Sequence, residues 1–244
     1  MSAPLELSLV IPVYNERDNL PVLVEEIGRA LAGRAGGEPY EIVAVDDGST
    51  DGSLDVLKVL KREHPEIHIV ALAANAGQSA AFGAGFGAAR GRVIVTLDAD
   101  LQNDPADIPV LVAELERSGA AAVVGYRVGR RDSGWKRLQS RIANGVRNRL
   151  NRETIRDTGC SLKAFRAEAL RALPLFNGMH RFLPTLVRMQ GGQVTEVPVH
   201  HRSRRFGKTK YGMWNRVFRA LIDALAVRWM QRRALRYRVR EELP

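Results

Sequence analysis

A single cysteine, Cys160, stands in a chain of 244 residues. That excludes a disulfide framework and agrees with a reducing compartment. No apolar run approaches the roughly 18 uninterrupted residues that cross a bilayer. The opening MSAPLELSLVIPVYNE lacks a basic segment followed by a long apolar one. No secretory signal is therefore read, and a cytoplasmic protein is expected. The first apolar run leads into no glycine-rich G-x-G-x-x-G turn, so a dinucleotide fold is disfavoured. Aromatic residues are few, and Trp135 is the only one between Arg130 and Arg156. Nucleic acid is gripped by cations interleaved with stacking aromatics, so that basic stretch does not read as a nucleic-acid surface.

What the chain has in excess is positive charge. The formal net charge is +10, and it is concentrated in the second half. Residues 127–156 hold ten Lys/Arg against Asp132 and Glu153, and the tail from Arg202 onward is similarly basic. With nucleic acid set aside, such a distribution implies a phosphorylated substrate or an anionic membrane surface. Hydrophobic residues make up 45% of the chain, enough to bury the core of one large α/β domain with a helical appendage.

Apolar runs alternate with helical patterns through the first half. Strands are expected at Leu7–Tyr14, Tyr40–Val45, Ile67–Ala73, Arg92–Leu97 and Ala121–Tyr126. Leu20, Leu23, Val24, Ile27 and Leu31 fall on one helical face. A second helix carries Leu54, Leu57 and Leu60, with Asp51 or a neighbour as its cap. Continuous rather than alternating apolar strands argue for a mainly parallel sheet covered on both faces. Ligands collect at the carboxyl ends of such strands. Asn15–Glu16, Asp46–Asp47 and Asp98–Asp100 all fall at that edge. Beyond Tyr126 a basic helix, the segment DTGCSLKAFR, a helix around MHRFLPTLVRMQG and a strand in QVTEVPVHHR are expected. A loop SRRFGKTKYG and a final helix follow, whose Trp214, Val217, Phe218, Leu221, Ile222, Leu225 and Trp229 form one stripe.

The segment TLDADLQNDP carries the chemistry. In an extended segment, side chains at i and i+2 share a side, so Asp98 and Asp100 can address one point. Like charges placed so repel unless a cation lies between them. Mg²⁺ and Mn²⁺ take oxygen ligands, often one or two carboxylates plus substrate phosphates, and Gln102 could add an amide oxygen. In IPVYNE, Tyr14 offers a flat face and Glu16 an acceptor, suited to a base and ribose, though packing or capping would also use them. In VDDGSTDGS, one of Asp46 and Asp47 can reach a base or ribose hydroxyl, while the other reading is an Asx-turn. The glycines of NAGQSAAFGAGFGAARG sit within a helix, so they serve close packing on the sheet rather than a phosphate.

Together, IPVYNE, VDDGSTD, N-A-G, LDADLQNDP, GYR and RRFGKTKYG resemble the family-2 glycosyltransferases of the GT-A fold, over about Leu7 to Trp229. The nearest branch resembles the dolichyl- or polyprenyl-phosphate mannosyl- and glucosyltransferases. The resemblance implies a GT-A (Rossmann-like) mainly parallel sheet flanked by helices, with a C-terminal amphipathic extension. Residues 1–210 would be the catalytic domain and 211–244 a basic helical tail. It also implies a nucleotide-diphosphate sugar donor, Mg²⁺ or Mn²⁺, and inversion at the anomeric carbon. By matching positions, Pro12, Tyr14, Glu16, Val45 and Asp47 contact the nucleotide, with Ala99 lining the same turn as Asp98. Asp98, Asp100 and Gln102 form the metal set. Arg127, Arg204 and Lys210 hold phosphates, and Lys136 or Arg137 adds an acceptor-phosphate contact. Ser161 departs from a D-x-G-C-G pattern in sister branches.

Acceptor chemistry separates two readings. A sugar hydroxyl needs a general base, and Asp157 is the candidate. A phosphate monoester is already largely ionised, its second pKa being near 6, and needs arginine forks rather than a base. The phosphate acceptor, a polyprenyl-phosphate lipid, is the favoured reading. The stripe of the last helix, flanked by arginines, suits an anionic membrane surface, and packing against the body is the alternative. A peripheral place on the inner membrane face is expected, with a separate membrane-anchoring protein as a conceivable partner. A phospho-acceptor signalling module would be about half this length and would not explain the late basic motifs, and a catalytically silent membrane- or nucleic-acid-binding protein is the second rival.

Overall fold

In the computed structural model, residues 5–32, 39–128, 145, 149–150, 153–171, 173–203 and 213–234 are described, the side chains of 213–220 excepted. The first half is a repeating strand–helix pattern: β1 (Leu7–Val13), α1 (Leu20–Leu31), β2 (Tyr40–Asp46), α2 (Ser53–Glu63), β3 (Ile67–Ala71), α3 (Gln78–Ala88) and β4 (Val93–Thr96). Next come α4 (Ile108–Ser118), β5 (Ala122–Arg127), β6 (Lys163–Arg166), α5 (Ala167–Arg171), α6 (Leu183–Met189), β7 (Val194–Val199) and α7 (Met213–Arg233). Single 3-10 turns occupy Pro105–Asp107 and Met179–Arg181.

Seven strands form one sheet in the order β3-β2-β1-β4-β6-β5-β7. All pairings among β1 to β4 are parallel, as is β5 with β7, whereas β6 runs antiparallel to both its neighbours. The expected mainly parallel α/β sheet is therefore present. The short strand β6 had no separate signal, since four residues beginning with a lysine show no apolar run.

Period-two burial on both faces explains the continuous apolar strands. Leu7, Leu9, Ile11 and Val13 join Ile42 and Ala44 beneath α1, α2 and α4. Val10, Val43 and Val45 face the other way, against α3, α5, α6 and part of α7. The five apolar positions predicted for α1 are its buried residues. Close packing of α3 is also borne out: a Cβ on Gly85 would lie 2.3 Å from Val10 Cγ1. On α2 the N-cap position is Gly52, and Asp51 just before it accepts from Ser53 N at 2.9 Å.

Candidate active site

At the carboxyl edge, the loops after β1 and β2 are stitched together. Asn15 sits at φ 54, in the left-handed region that asparagine tolerates. Its N–H donates to Ser49 Oγ at 3.0 Å and its Oδ1 accepts from Thr50 N at 2.8 Å. Glu16 N donates to Ser53 Oγ at 2.9 Å, and Arg17 N to Asp51 Oδ2 at 3.1 Å. These bonds hold half-buried Tyr14 and Glu16 beside the end of β2. Pro12 and Val45 are register partners on adjacent strands, so the proposed nucleotide contacts of β1 and β2 adjoin one another.

Asp46 Oδ2 accepts from Ser49 N, three residues on, at 3.3 Å, closing the turn after β2. Asp47 is buried, and its carboxylate accepts from Asn75 Nδ2 (2.9 Å), Ala76 N (2.7 Å) and Gly77 N (3.0 Å). Asp47 thus anchors the loop that opens α3.

The turn that carries the expected metal set, the metal turn, lies at the end of β4. The strand stops at Thr96, and residues 99–100 form a turn. This corrects the expected extended segment for Asp98 and Asp100. Two observations give the reason: Leu101 adopts φ 61, and Gln102 N donates to Asp100 Oδ1 at 3.2 Å, curling the chain back. The two acids still interact. The Asp98 carboxyl is pushed up to about 6, first by burial and then by the charge of Asp100. That repulsion is what a cation would relieve, and the oxygen-only donors suit a hard divalent ion. Among the described residues no cluster of three or more His, Cys, Asp or Glu could hold a metal, so such an ion would rely on the two aspartates, Gln102 and its substrate. Ala99 is buried within the turn.

Two further strand ends face this turn. Arg127, the last residue of β5, is paired bidentately with Asp157: Nε to Oδ2 at 2.6 Å and Nη2 to Oδ1 at 2.9 Å. Asp157 also accepts from Gly159 N at 3.2 Å. Ser161, the departure from glycine, donates to Asn103 Oδ1 at 2.7 Å, an oxygen that also accepts from Asp98 N at 3.4 Å. Lys163 on β6 is buried, its Nζ donating to the Cys160 carbonyl. Burial pulls its pKa below the ordinary lysine value, against the opposing charges of Asp98 and Asp157. Burial likewise raises the Cys160 thiol to about 11, leaving it inert at neutral pH.

Residues 200–203 then run back along the metal turn. Arg202 N donates to Gln102 O at 2.9 Å, and Asn103 bridges His201 in antiparallel sense. Arg202 contacts Glu26 at 2.6 Å and Asp104 at 2.7 Å, and Asp107 accepts from both His200 N and Nδ1. The chain therefore passes the metal turn immediately before the basic residues that begin at position 204.

Arg204, Lys210, Lys136 and Arg137 lie outside the described residues, as does most of the basic stretch between Arg127 and Arg156. The other predicted site residues gather at one sheet edge. Sequence reasoning missed Lys163, which opens the short strand β6, and Gln78, whose Nε2 donates to Asp98 Oδ1 at 2.8 Å. A polar residue opening a glycine–alanine helix was the available signal.

A sheet of this order, with an acid-bearing turn at its switch point, is the GT-A arrangement. The chain belongs to glycosyl transferase family 2, whose sequence pattern matches residues 8–173. It is 41% identical over 232 residues to the dodecaprenyl-phosphate galacturonate synthase of Rhizobium johnstonii, covering 93% of this chain and 68% of that protein. It is 40% identical over 210 residues to the undecaprenyl-phosphate 4-deoxy-4-formamido-L-arabinose transferase of Yersinia enterocolitica, covering 85% of this chain and 63% of that one. The chain thus spans about two thirds of the length of these relatives. Among solved structures, glucosyl-3-phosphoglycerate synthase of Mycobacterium tuberculosis, with Mn²⁺ and UDP, superposes with a TM-score of 0.69 at 19% identity, covering 93% of this chain and 79% of that one. A mannosyltransferase of Pyrobaculum calidifontis with GDP-Man and Mn²⁺ gives 0.66 at 20% identity, covering 92% and 65%. At those identities the likeness establishes the fold.

Proposed function

We propose that the chain is an inverting glycosyltransferase that moves a sugar from a nucleotide-diphosphate donor to a polyprenyl-phosphate lipid. One observation carries the choice of acceptor: Asp157, the candidate base, is locked to Arg127 by two bonds of 2.6 and 2.9 Å. A hydroxyl acceptor would require breaking that pair to free a base. A phosphate acceptor requires none. The names of both relatives, each at 40% identity or more and each with a polyprenyl phosphate, support the same acceptor.

In the proposed reaction a phosphate oxygen of the lipid forms a bond to the anomeric carbon from the face opposite the leaving group. The carbon–oxygen bond to the diphosphate breaks, and its electron pair stays on the diphosphate oxygen. The dianionic phosphate monoester becomes a monoanionic diester while the nucleoside diphosphate gains one negative charge, so no proton has to move. Pro12, Tyr14 and Glu16 line the nucleotide side, with Asp47 and the fully buried Val45 packed behind them. Asp98, Asp100 and Gln102 would hold Mg²⁺ or Mn²⁺, with Ala99 in the same turn. That cation would screen the charge growing on the diphosphate, a role supported by the Mn²⁺ in both structural neighbours. Arg127, Arg204 and Lys210 serve the phosphates, with Lys136 or Arg137 on the acceptor. The relatives' names specify galacturonate and a formamido-arabinose rather than mannose or glucose, so the proposal fixes the acceptor and assigns the sugar to a donor screen.

The lipid acceptor places the reaction at a membrane, on its cytoplasmic face. No helix among the described residues is long and apolar enough to cross one. On α7, Ala224 and Val227 are buried in the body, whereas Leu221, Ile222, Leu225 and Trp229 are exposed on the other side. With arginines at 228, 232 and 233, that face suits an anionic lipid surface. In this reading residues 1–210 are the catalytic body and 211–244 the docking tail; a separate anchoring protein is not needed for it.

The test is transfer by the purified chain from a panel of nucleotide sugars to undecaprenyl phosphate, with Mn²⁺, Mg²⁺ or EDTA. Lipid-linked sugar that requires the metal is expected. Transfer only to saccharide hydroxyls would overturn the acceptor assignment.

A further inference from the structure

Four consecutive residues, 75–78, contact both acid groups of the donor site. Asn75, Ala76 and Gly77 donate to the Asp47 carboxylate. Gln78, the first residue of α3, donates from Nε2 to Asp98 Oδ1 at 2.8 Å. A carboxylate accepts only, so the amide must turn its NH₂ toward Asp98. Fixing one oxygen of a carboxylate fixes the plane in which the other lies.

The donor of that bond is itself held. Ser79, buried, accepts from Gly178 N at 2.9 Å and meets His180 Nδ1 at 2.8 Å. Gly178 has φ 95, and a Cβ there would fall 2.3 Å from an Asp223 carboxylate oxygen, so its turn is seated tightly against α7. The first turn of α3 is therefore bolted on one side to the second core and reaches the metal turn on the other. Surface solubility does not explain a side chain aimed at a carboxylate twenty residues away.

Resting on the metal-dependent reading above, we propose that Gln78 is a positioning residue: it orients the Asp98 carboxylate for a divalent cation. Residues 75–79 thereby register the nucleotide side of the donor site against its metal side. Partners that orient a ligating group typically change metal affinity by about 10- to 100-fold when lost.

Gln78→Met keeps the length and helix preference of the side chain but removes the donor. Mn²⁺ binding to the full chain is followed by electron paramagnetic resonance, alone and with UDP or GDP. A loss of about tenfold or more in Mn²⁺ affinity is expected, with the same order of loss in Gln78→Leu. Binding of metal-free UMP or GMP and the thermal midpoint should stay near the wild-type values, which separates orientation of a ligand from general damage. Ser79→Ala, one step further from the metal turn, should lose less. Wild-type affinity in both Gln78 variants overturns this inference and leaves the reaction standing. Absence of Mn²⁺ binding by the wild-type chain overturns the metal site and this inference with it.

Discussion

The two sides of the site are built from different materials. On the nucleotide side, around the ends of β1 and β2, the loops are fixed by bonds from backbone N–H groups to short polar side chains, as in Asn15–Ser49, Glu16–Ser53 and Asp47 with residues 76–77. On the acceptor side, around β5, β6 and the run-in to residue 203, ion pairs dominate: Arg127–Asp157, Arg188–Glu153, and Arg202 with Glu26 and Asp104. A site for a neutral base and ribose needs shape. A site for a phosphate needs positive charge in reserve, and buried positive charge must be compensated until the ligand arrives. In the proposed reading, this contrast groups Asp157 with the compensating carboxylates rather than with the reacting ones.

The largest expected effect lies where the two sides meet. Asp100→Ala should lower metal-dependent transfer by about 100-fold or more with the circular-dichroism spectrum retained, since the side chain lies in a turn at the sheet edge. Full activity in that variant would sink the metal assignment.

Asp157→Asn tests the acceptor side. It leaves the Arg127 charge without its carboxylate and should cost roughly 2–3 kcal/mol in unfolding free energy. Transfer to a phosphate lipid should nonetheless survive within about an order of magnitude, a minor change beside the loss of a general base, and keep its pH–rate profile. A collapse of kcat with loss of the ascending pH limb would instead make Asp157 the base and favour a hydroxyl acceptor.

The pH behaviour of the metal-free protein sharpens the same contrast. The Asp98 carboxyl, at about 6 when folded against an ordinary value of 3.8, holds its proton more tightly in the folded state. Its contribution to stability is therefore fully present below about 4 and is lost as pH rises through about 6. The unfolding midpoint in EDTA should accordingly gain from Asp98 on acidification across that window. Asp98→Asn should flatten the gain, and Mn²⁺ at pH 7 should restore stability only when Asp98 is present.

Much of the nucleotide side could be read in the sequence because its residues are contiguous: a strand, its loop and the next helix supply Tyr14, Glu16, Asp47 and Asp98 from short motifs. The parallel order of β1 to β4 follows from the same alternation. The acceptor side depends on distant pairings that no local period encodes. Arg127 meets Asp157 thirty residues away, Arg202 meets Glu26 across most of the chain, and β6 inserts between two strands that precede it. Lys163 looked like an ordinary polar interruption because its partner carboxylates come from other elements. The curl at Leu101 was also hidden, since positive φ at leucine leaves no compositional mark.

The smallest effect on catalysis should come from the face that touches neither side of the site. On the final helix the four described stripe residues, Leu221, Ile222, Leu225 and Trp229, all point outward, Leu225 and Trp229 at 52% and 63% exposure, while Ala224 and Val227, which lie outside that stripe, face inward. Because the outward pair contributes little to the core, Leu225→Ser with Trp229→Ser should alter folding stability by no more than about 0.5 kcal/mol. If this face lies on lipid, however, the pair would bury apolar area there, and flotation with vesicles rich in anionic phospholipid should fall by about tenfold. Mn²⁺ and nucleotide binding should not change, and transfer to a detergent-dispersed lipid phosphate should change far less than transfer to the same lipid in vesicles. Equal vesicle binding by the double variant would return the stripe to a packing role and leave the basic charges alone to account for any attraction to the membrane.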